Sequence, residues 1–572
     1  MLVLSLLASP ALACGGFFCD NVSPVEQTGE QIVFAVDDAS STVTVHVRVT
    51  YAGPAESFAW VVPVAAIPTL GVSSAGLFDA LDRATEPLHI LDLEFESCAY
   101  ESDADTDSDT DSDTDADSDS DADTDGPTVE VVAQAEVGPY ETVTLKAETS
   151  AGLVTWLQEN GFGVPATFDA AIAPYVASGQ YVVALKLLKD KSTGDLQPLA
   201  MTYPGTVASI PIQLTSVAAA PGMPLEVYVL GESRAVPISY LHVVPNPFVY
   251  DWFRASVDWE DTIARAADEA GGHAFATDFA GPTAALQGTV YWGQFDATLA
   301  SLGGQADVSG WWTAVTGTFS PSAALIEVFR RQIPVPAGVE ENALFNCVPC
   351  YAMQLEGLPF DAVAATADIE ATIVKPLRDA EALLAAYPHL TRLTSSLDAR
   401  EMTVDPTFEL NADMSQDVDR THLATMTYEC AGTTSSAAPR TFTVAPEGWT
   451  VALPSTEQLA DMGVSDYKYL SSLTTYAALR IEKTAATGQP AVVADQTPWL
   501  EEQVALLAPS ADPGSGVDGD ADTDLAGDPP CCKPDASGCG CATGGAAGWW
   551  SGVAVLLALA GRRLSARTGA LP

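Results

Sequence analysis

Thr42-Val43-Thr44-Val45-His46-Val47-Arg48-Val49-Thr50-Tyr51 reads as one strand of a sheet with two unlike faces. Val43, Val45, Val47 and Val49 point one way and Thr44, His46, Arg48 and Thr50 the other, as the period of an extended chain requires. His46 is therefore placed on the polar face, as a solvated strand residue. Downstream, Phe58-Ala59-Trp60-Val61-Val62-Pro63-Val64 is apolar at almost every position. Such a run suits a central strand buried on both faces. Residues 31–36 form another strand. Ser73 or Ser74 then caps a helix through Leu77, Phe78, Leu81 and Ala84.

Working outward, strands are expected at 129–132, 143–147, 181–187, 210–214 and 225–230. Helices are expected from Ser150 to Gly161, over 166–176, and over 259–270, the last closed by Gly271-Gly272. Ser320-Pro321 starts another, with proline at the first helical position, through Leu325, Val328 and Phe329. Residues 361–374 and 376–386 form a helical pair. Strands and helices mix without a βαβ rhythm, so the fold class is α+β: a strand-rich main domain with packed helices. A smaller C-terminal α/β unit is expected over 413–507, with strands near 423–428, 440–444 and 476–482 and a helix near 455–462.

Several segments of the main domain resemble the bacterial domain of unknown function 2330 (DUF2330). They are Cys14-Gly-Gly-Phe-Phe-Cys19, Glu30-Gln-Ile-Val-Phe34, the apolar 58–64 strand, Leu153-Val-Thr-Trp-Leu157, Tyr181 to Leu187, Met201-Thr-Tyr-Pro204, Ala267-Asp-Glu-Ala-Gly-Gly272 and Leu390-Thr-Arg-Leu393 with Met402-Thr-Val-Asp-Pro406. The resemblance covers residues 14–412. It implies a place in a bacterial family and brings no activity with it.

The chain of 572 residues carries a net charge of -52. Such a surface repels phosphate backbones and gains no counterion release, which excludes a nucleic-acid partner. Within the segment 102–126, residues 102–125 alternate Asp with Ser, Thr or Ala, with Asp at every odd position from 103 to 125. Like charges without apolar partners form no core, so this is read as a disordered insert. Its alternative reading is loose calcium binding at Asp103, Asp105, Asp107, Asp109 and Asp111, although the EF-hand pattern is absent.

Residues 1–13 end in Ala11-Leu12-Ala13, a small-x-small cleavage site, and read as a signal peptide. Cleavage leaves Cys14 foremost, with lipidation there as an alternative. Cysteines of an exported chain are expected in disulfides: Cys14 with Cys19, Cys347 with Cys350, and Cys98 with Cys430 as a long-range staple.

Residues 508–541 form a Pro-, Gly- and Asp-rich linker that ends in a cysteine-rich motif. Residues 542–561 are apolar and long enough for one transmembrane helix, and 562–572 are a basic cytoplasmic tail. Cys539, Gly540 and Cys541, the helix, and Arg562 with Arg563 resemble the tripartite C-terminal sorting tail of myxobacterial surface proteins (MYXO-CTERM). That resemblance implies a membrane contact and a sorting protease as partners. A simple single-pass anchor is the alternative.

No metal or phosphate motif is present: the histidines are scattered, no His-Glu-x-x-His occurs, and no glycine-rich loop ends in Lys-Ser/Thr. No Gly-x-Ser-x-Gly occurs either. Cys347-Val-Pro-Cys350 is read as a structural disulfide, with thiol–disulfide exchange as the alternative. Trp292, Trp311 and Trp312 are read as core, with sugar stacking as the alternative. The function expected is that of a non-enzymatic, cell-surface-anchored structural or adhesive protein without a cofactor and with an unspecified surface ligand. The competing expectation is an extracytoplasmic enzyme, a thiol exchanger or a hydrolase at a carboxylate site.

Overall fold

The alternating valines do belong to a strand, Thr42–Ala52, and it lies in a ten-stranded sheet. The computed structural model describes residues 26–509 except 53–58, 97–128, 166, 189–196, 255–258 and 432. From edge to edge the large sheet runs Ala491–Asp495, Ala478–Lys483, Leu241–Pro245, Ala274–Pro282, His389–Leu397, Met223–Gly231, Glu26–Asp37, Thr42–Ala52, Leu199–Pro204, Thr69–Val72. Two contacts are parallel, between Glu26–Asp37 and Met223–Gly231 and between Leu241–Pro245 and Ala274–Pro282; the others are antiparallel. Val43, Val45 and Val47 bury against Ile32, Phe34, Val227 and Leu393. Each such side chain contributes roughly 1.5–3 kcal/mol when removed from water.

Facing that surface is a four-stranded sheet in the order Ala59–Val64, Tyr181–Leu187, Tyr140–Ala147, Val129–Val137. The apolar run of Ala59–Val64 is thus an edge strand, not a central one. It is apolar throughout because both faces are covered. Trp60, Val62 and Val64 join the core against the large sheet, while Ala59 and Val61 join the core under the helices Ser150–Glu159 and Phe168–Ala177.

The opposite face of the large sheet is covered by the helices Ala75–Thr85 and Lys375–Ala386, which bury Leu77, Phe78, Leu81 and Leu384 on Val33, Tyr228 and Leu390. The layers therefore run helix, sheet, sheet, helix. Ser74 caps Ala75–Thr85, its hydroxyl accepting from the Gly76 N–H. This cover changes the reading of His46. Its face is polar but not solvated: Nδ1 lies 2.7 Å from the Ser73 hydroxyl, and burial lowers the imidazole to about 4. On the same face Arg48 pairs with Asp79 at 2.6 Å and Asp82 at 2.8 Å, tying the helix to the sheet.

Further departures have local causes. Residues 210–214 include a short helix, Ile212–Thr215, because a brief apolar run does not distinguish strand from helix. The helix Ala323–Gln332 is capped by Ser322, two residues after Ser320. Residues 342–345 lie in the helix Glu341–Asn346, just before the Cys347–Cys350 disulfide. The expected helical pair is one run, Ala362–Ile369 and Lys375–Ala386 joined by a π turn Glu370–Val374. Pro376 offers no N–H to the preceding turn, and a wider turn accommodates its ring.

Residues 413–507 are interleaved with the body. Thr421–Glu429 pairs in parallel with Leu88–Glu96, and Ala478–Lys483 pairs with Leu241–Pro245. A third sheet, four-stranded, results: Trp449–Leu453, Arg440–Val444, Thr421–Glu429, Leu88–Glu96. Among the described residues no helix is long and apolar enough to cross a membrane. The expected signal peptide, acidic insert, linker, apolar stretch and basic tail lie outside the described residues.

Candidate functional site

Where the third sheet meets the large one, a cavity of about 440 Å³ opens. Two groups of side chains line it. The first is aromatic. His89 and His422 are register partners on the parallel strands Leu88–Glu96 and Thr421–Glu429. Parallel pairing sets their rings 4.6 Å apart and 10° from coplanar. Tyr250 stacks on the other face of His89 at 3.7 Å and 14°. Trp259 tilts over His422 at 5.0 Å, and Trp252 meets His89 edge-on at 5.4 Å. Burial lowers both imidazoles, His89 to about 3 with His422 adding to the effect. Both rings are therefore neutral near pH 7. The Nε2 atoms of both are buried and have no hydrogen-bond partner among the described residues.

The second group is polar and comes from three neighbouring strands of the large sheet plus one loop. His242 on Leu241–Pro245 is opposite Glu482 on Ala478–Lys483. His242 Nδ1 lies 3.2 Å from Glu482 Oε2, and Nε2 lies 3.0 Å from the Thr277 hydroxyl. A carboxylate only accepts, so Nδ1 carries the proton and Nε2 accepts. Burial lowers the His242 imidazole, and its hydrogen bond holds the Glu482 carboxyl below the usual range. Glu482 also accepts from Arg480 Nε at 3.1 Å. Arg234, 6 % exposed, donates from Nη2 to Thr277 Oγ1 at 3.1 Å and from Nη1 to the Ser415 carbonyl at 3.2 Å. Its Nε is buried without a partner among the described residues. The two groups adjoin through Trp259, whose indole N–H donates to Asp278 at 3.1 Å, next to Thr277.

None of these residues is singled out by sequence. The one local signal is a histidine inside the apolar stretch Leu241-His242-Val243-Val244, where a polar group must find partners. The residues that sequence does single out lie elsewhere. Cys347 and Cys350 are disulfide-bonded with Cα atoms 5.3 Å apart. Cys430 is disulfide-bonded. Cys14, Cys19, Cys98, Asp103, Asp105, Asp107, Asp109, Asp111, Cys539, Gly540, Cys541, Arg562 and Arg563 lie outside the described residues. Trp311 is fully buried and Trp312 partly, whereas Trp292 is 68 % exposed.

Fold and site together define a layered α+β protein with an aromatic, histidine-lined cavity. Over residues 8–300 the chain matches the family model of an uncharacterized protein conserved in bacteria (DUF2330), and it belongs to that family. The match stops short of the resemblance read to residue 412. His89, Arg234, His242, Trp259 and Thr277 fall inside it; His422 and Glu482 fall outside. No curated protein and no solved structure matches the chain.

Proposed function

We propose that this is an exported, envelope-anchored protein that binds a small planar ligand in the cavity. The aromatic wall carries this reading. Tyr250, Trp252, Trp259, His89 and His422 surround about 440 Å³, a volume suited to a small organic molecule. Aromatic rings attract planar partners by stacking and edge contacts.

Export and anchoring are supported by residues 1–13, by the bonded state of Cys347, Cys350 and Cys430, and by the apolar stretch 542–561 followed by Arg562 and Arg563. In this proposal the tail meets the membrane and a sorting protease acts at Cys539-Gly540-Cys541.

Binding is tested with 2-naphthol, followed by calorimetry and tryptophan fluorescence. Saturable binding is expected, weakened at least about tenfold by Tyr250→Ala or His422→Ala, with folding checked by thermal melts. Absence of saturable binding to the intact protein sinks the reading. Fractionation tests the location: full-length protein in the cytosol with free thiols overturns export.

A further inference from the structure

We propose that Thr277, His242 and Glu482 form a hydroxyl–imidazole–carboxylate relay that hydrolyses a carboxylic ester whose acyl part enters the cavity. This goes beyond ligand binding, and it rests on the same cavity admitting a small molecule. Three observations on the geometry carry it. First, the contacts have the spacing that nucleophilic catalysis needs: 3.0 Å from the hydroxyl to the imidazole and 3.2 Å from the imidazole to the carboxylate. Second, proton directions agree along the chain. Thr277 oxygen accepts from Arg234 Nη2, so its own proton is left to point at His242 Nε2, while Nδ1–H is spent on Glu482. Third, the strands depart from regular pairing at both places. A bulge separates Thr277 from Phe279 in the pairing with His389–Leu397, and another separates Ile481 from Glu482 in the pairing with Ala491–Asp495. Bulges re-aim side chains and are frequent beside active sites.

Arg234 supplies the remaining part. Its Nη2 donates to Thr277 Oγ1 at 3.1 Å, so the guanidinium charge lies beside the attacking oxygen. A carbonyl attacked by Thr277 places its developing oxyanion near that positive charge. Thr277 Oγ1 bonds to the acyl carbon as its proton moves to His242 Nε2, and the carbonyl electron pair moves onto oxygen. Collapse breaks the bond to the alcohol, which leaves with the proton from Nε2. Water then yields a proton to Nε2, its oxygen adds to the acyl carbon, and Thr277 departs and regains its proton. The products are an alcohol and a carboxylic acid. Glu482 touches no substrate; it is a positioning residue that fixes the tautomer and raises the basicity of the ring.

The test uses p-nitrophenyl acetate and the intact chain, with release of p-nitrophenol and peptide mapping of acetyl groups as readouts. The wild type is expected to carry acetyl on Thr277. Thr277→Ala and His242→Gln are expected to lower release by at least about 100-fold. Thr277→Ser is expected to keep turnover, since a hydroxyl remains. Glu482→Gln is expected to move the acid limb of the pH–rate profile to lower pH, a shift that loss of packing alone does not produce. A wild type no faster than folded Thr277→Ala, or acetyl groups found only elsewhere, overturns the relay. If 2-naphthol still binds in that case, the relay alone falls and the cavity reading stands. If neither probe engages the cavity, both fall.

Discussion

Glu30 sits 6 % exposed on Glu26–Asp37, and burial pushes its carboxyl up to about 7 against the lowering effect of the Gln27 amide. Its unfolded value is 4.5. The folded protein therefore holds a proton that the unfolded chain has released. That contribution, about 3 kcal/mol, is complete below pH 4.5 and lost as pH rises through 7. His46 and His89 act in the other direction. Burial lowers them to about 4 and about 3 from 6.5, so their contribution is complete above 6.5 and lost as pH falls through 4 and 3. Thermal denaturation across pH is expected to show a decline on both sides of a mildly acidic optimum. In Glu30→Gln the loss of stability between pH 4.5 and 7 should disappear, so that stability rises more steeply with pH over that range than in the wild type. Equal slopes between pH 4.5 and 7 in the two proteins exclude this account.

At the scale of elements, the helix Ala75–Thr85 is held on the sheet by a buried ionic cluster. Arg392, on the central strand His389–Leu397, lies 3.1 Å from Glu226, 3.5 Å from Asp278 and 4.0 Å from Asp82, with its guanidinium over the Tyr228 ring. Asp82 belongs to the helix and also receives Arg48. Removing one partner of a buried cluster leaves charge uncompensated, so Arg392→Met is expected to cost about 3–5 kcal/mol in urea unfolding. Adding Glu226→Gln should restore part of that loss. A loss below about 1 kcal/mol for the single variant shows that the cluster does not pin the helix.

This cluster also explains what sequence showed and what it hid. The strands Thr42–Ala52 and Tyr181–Leu187 and the helices Ala75–Thr85 and Trp259–Glu269 were legible because each carries its own period and punctuation. The burial of His46 was not, because the helix that covers it is recruited by Asp79 and Asp82 to Arg48, a match between distant segments. Thr277, His242 and Glu482 come from three strands, and no local spacing joins positions so far apart in the chain.

On the scale of the whole molecule, the third sheet requires both the early strand Leu88–Glu96 and the late strand Thr421–Glu429. A chain ending at residue 412 lacks His422, Glu482 and the partner of Leu88–Glu96. It is expected to run as an aggregate in size-exclusion chromatography and to bind no 2-naphthol. A monodisperse 1–412 product that takes up the probe contradicts the interleaving. The same register puts Glu429 opposite Glu96, and the Cys430 N–H donates to the Glu96 carbonyl at 3.2 Å. Non-reducing peptide mapping is accordingly expected to join Cys430 to Cys98.

Parallel pairing of segments so distant has a cost in time. Glu94 and Thr427 are 333 residues apart. At ribosomal speeds of about 5–20 residues per second, the first waits tens of seconds for the second. Throughout that wait Ile90, Leu93 and Phe95, already 39–53 % exposed in the finished protein, have no neighbouring strand on either side. The nascent polypeptide consequently carries this apolar strand unpaired until residues 421–429 follow, and the stacked His89–His422 wall of the cavity can form only then.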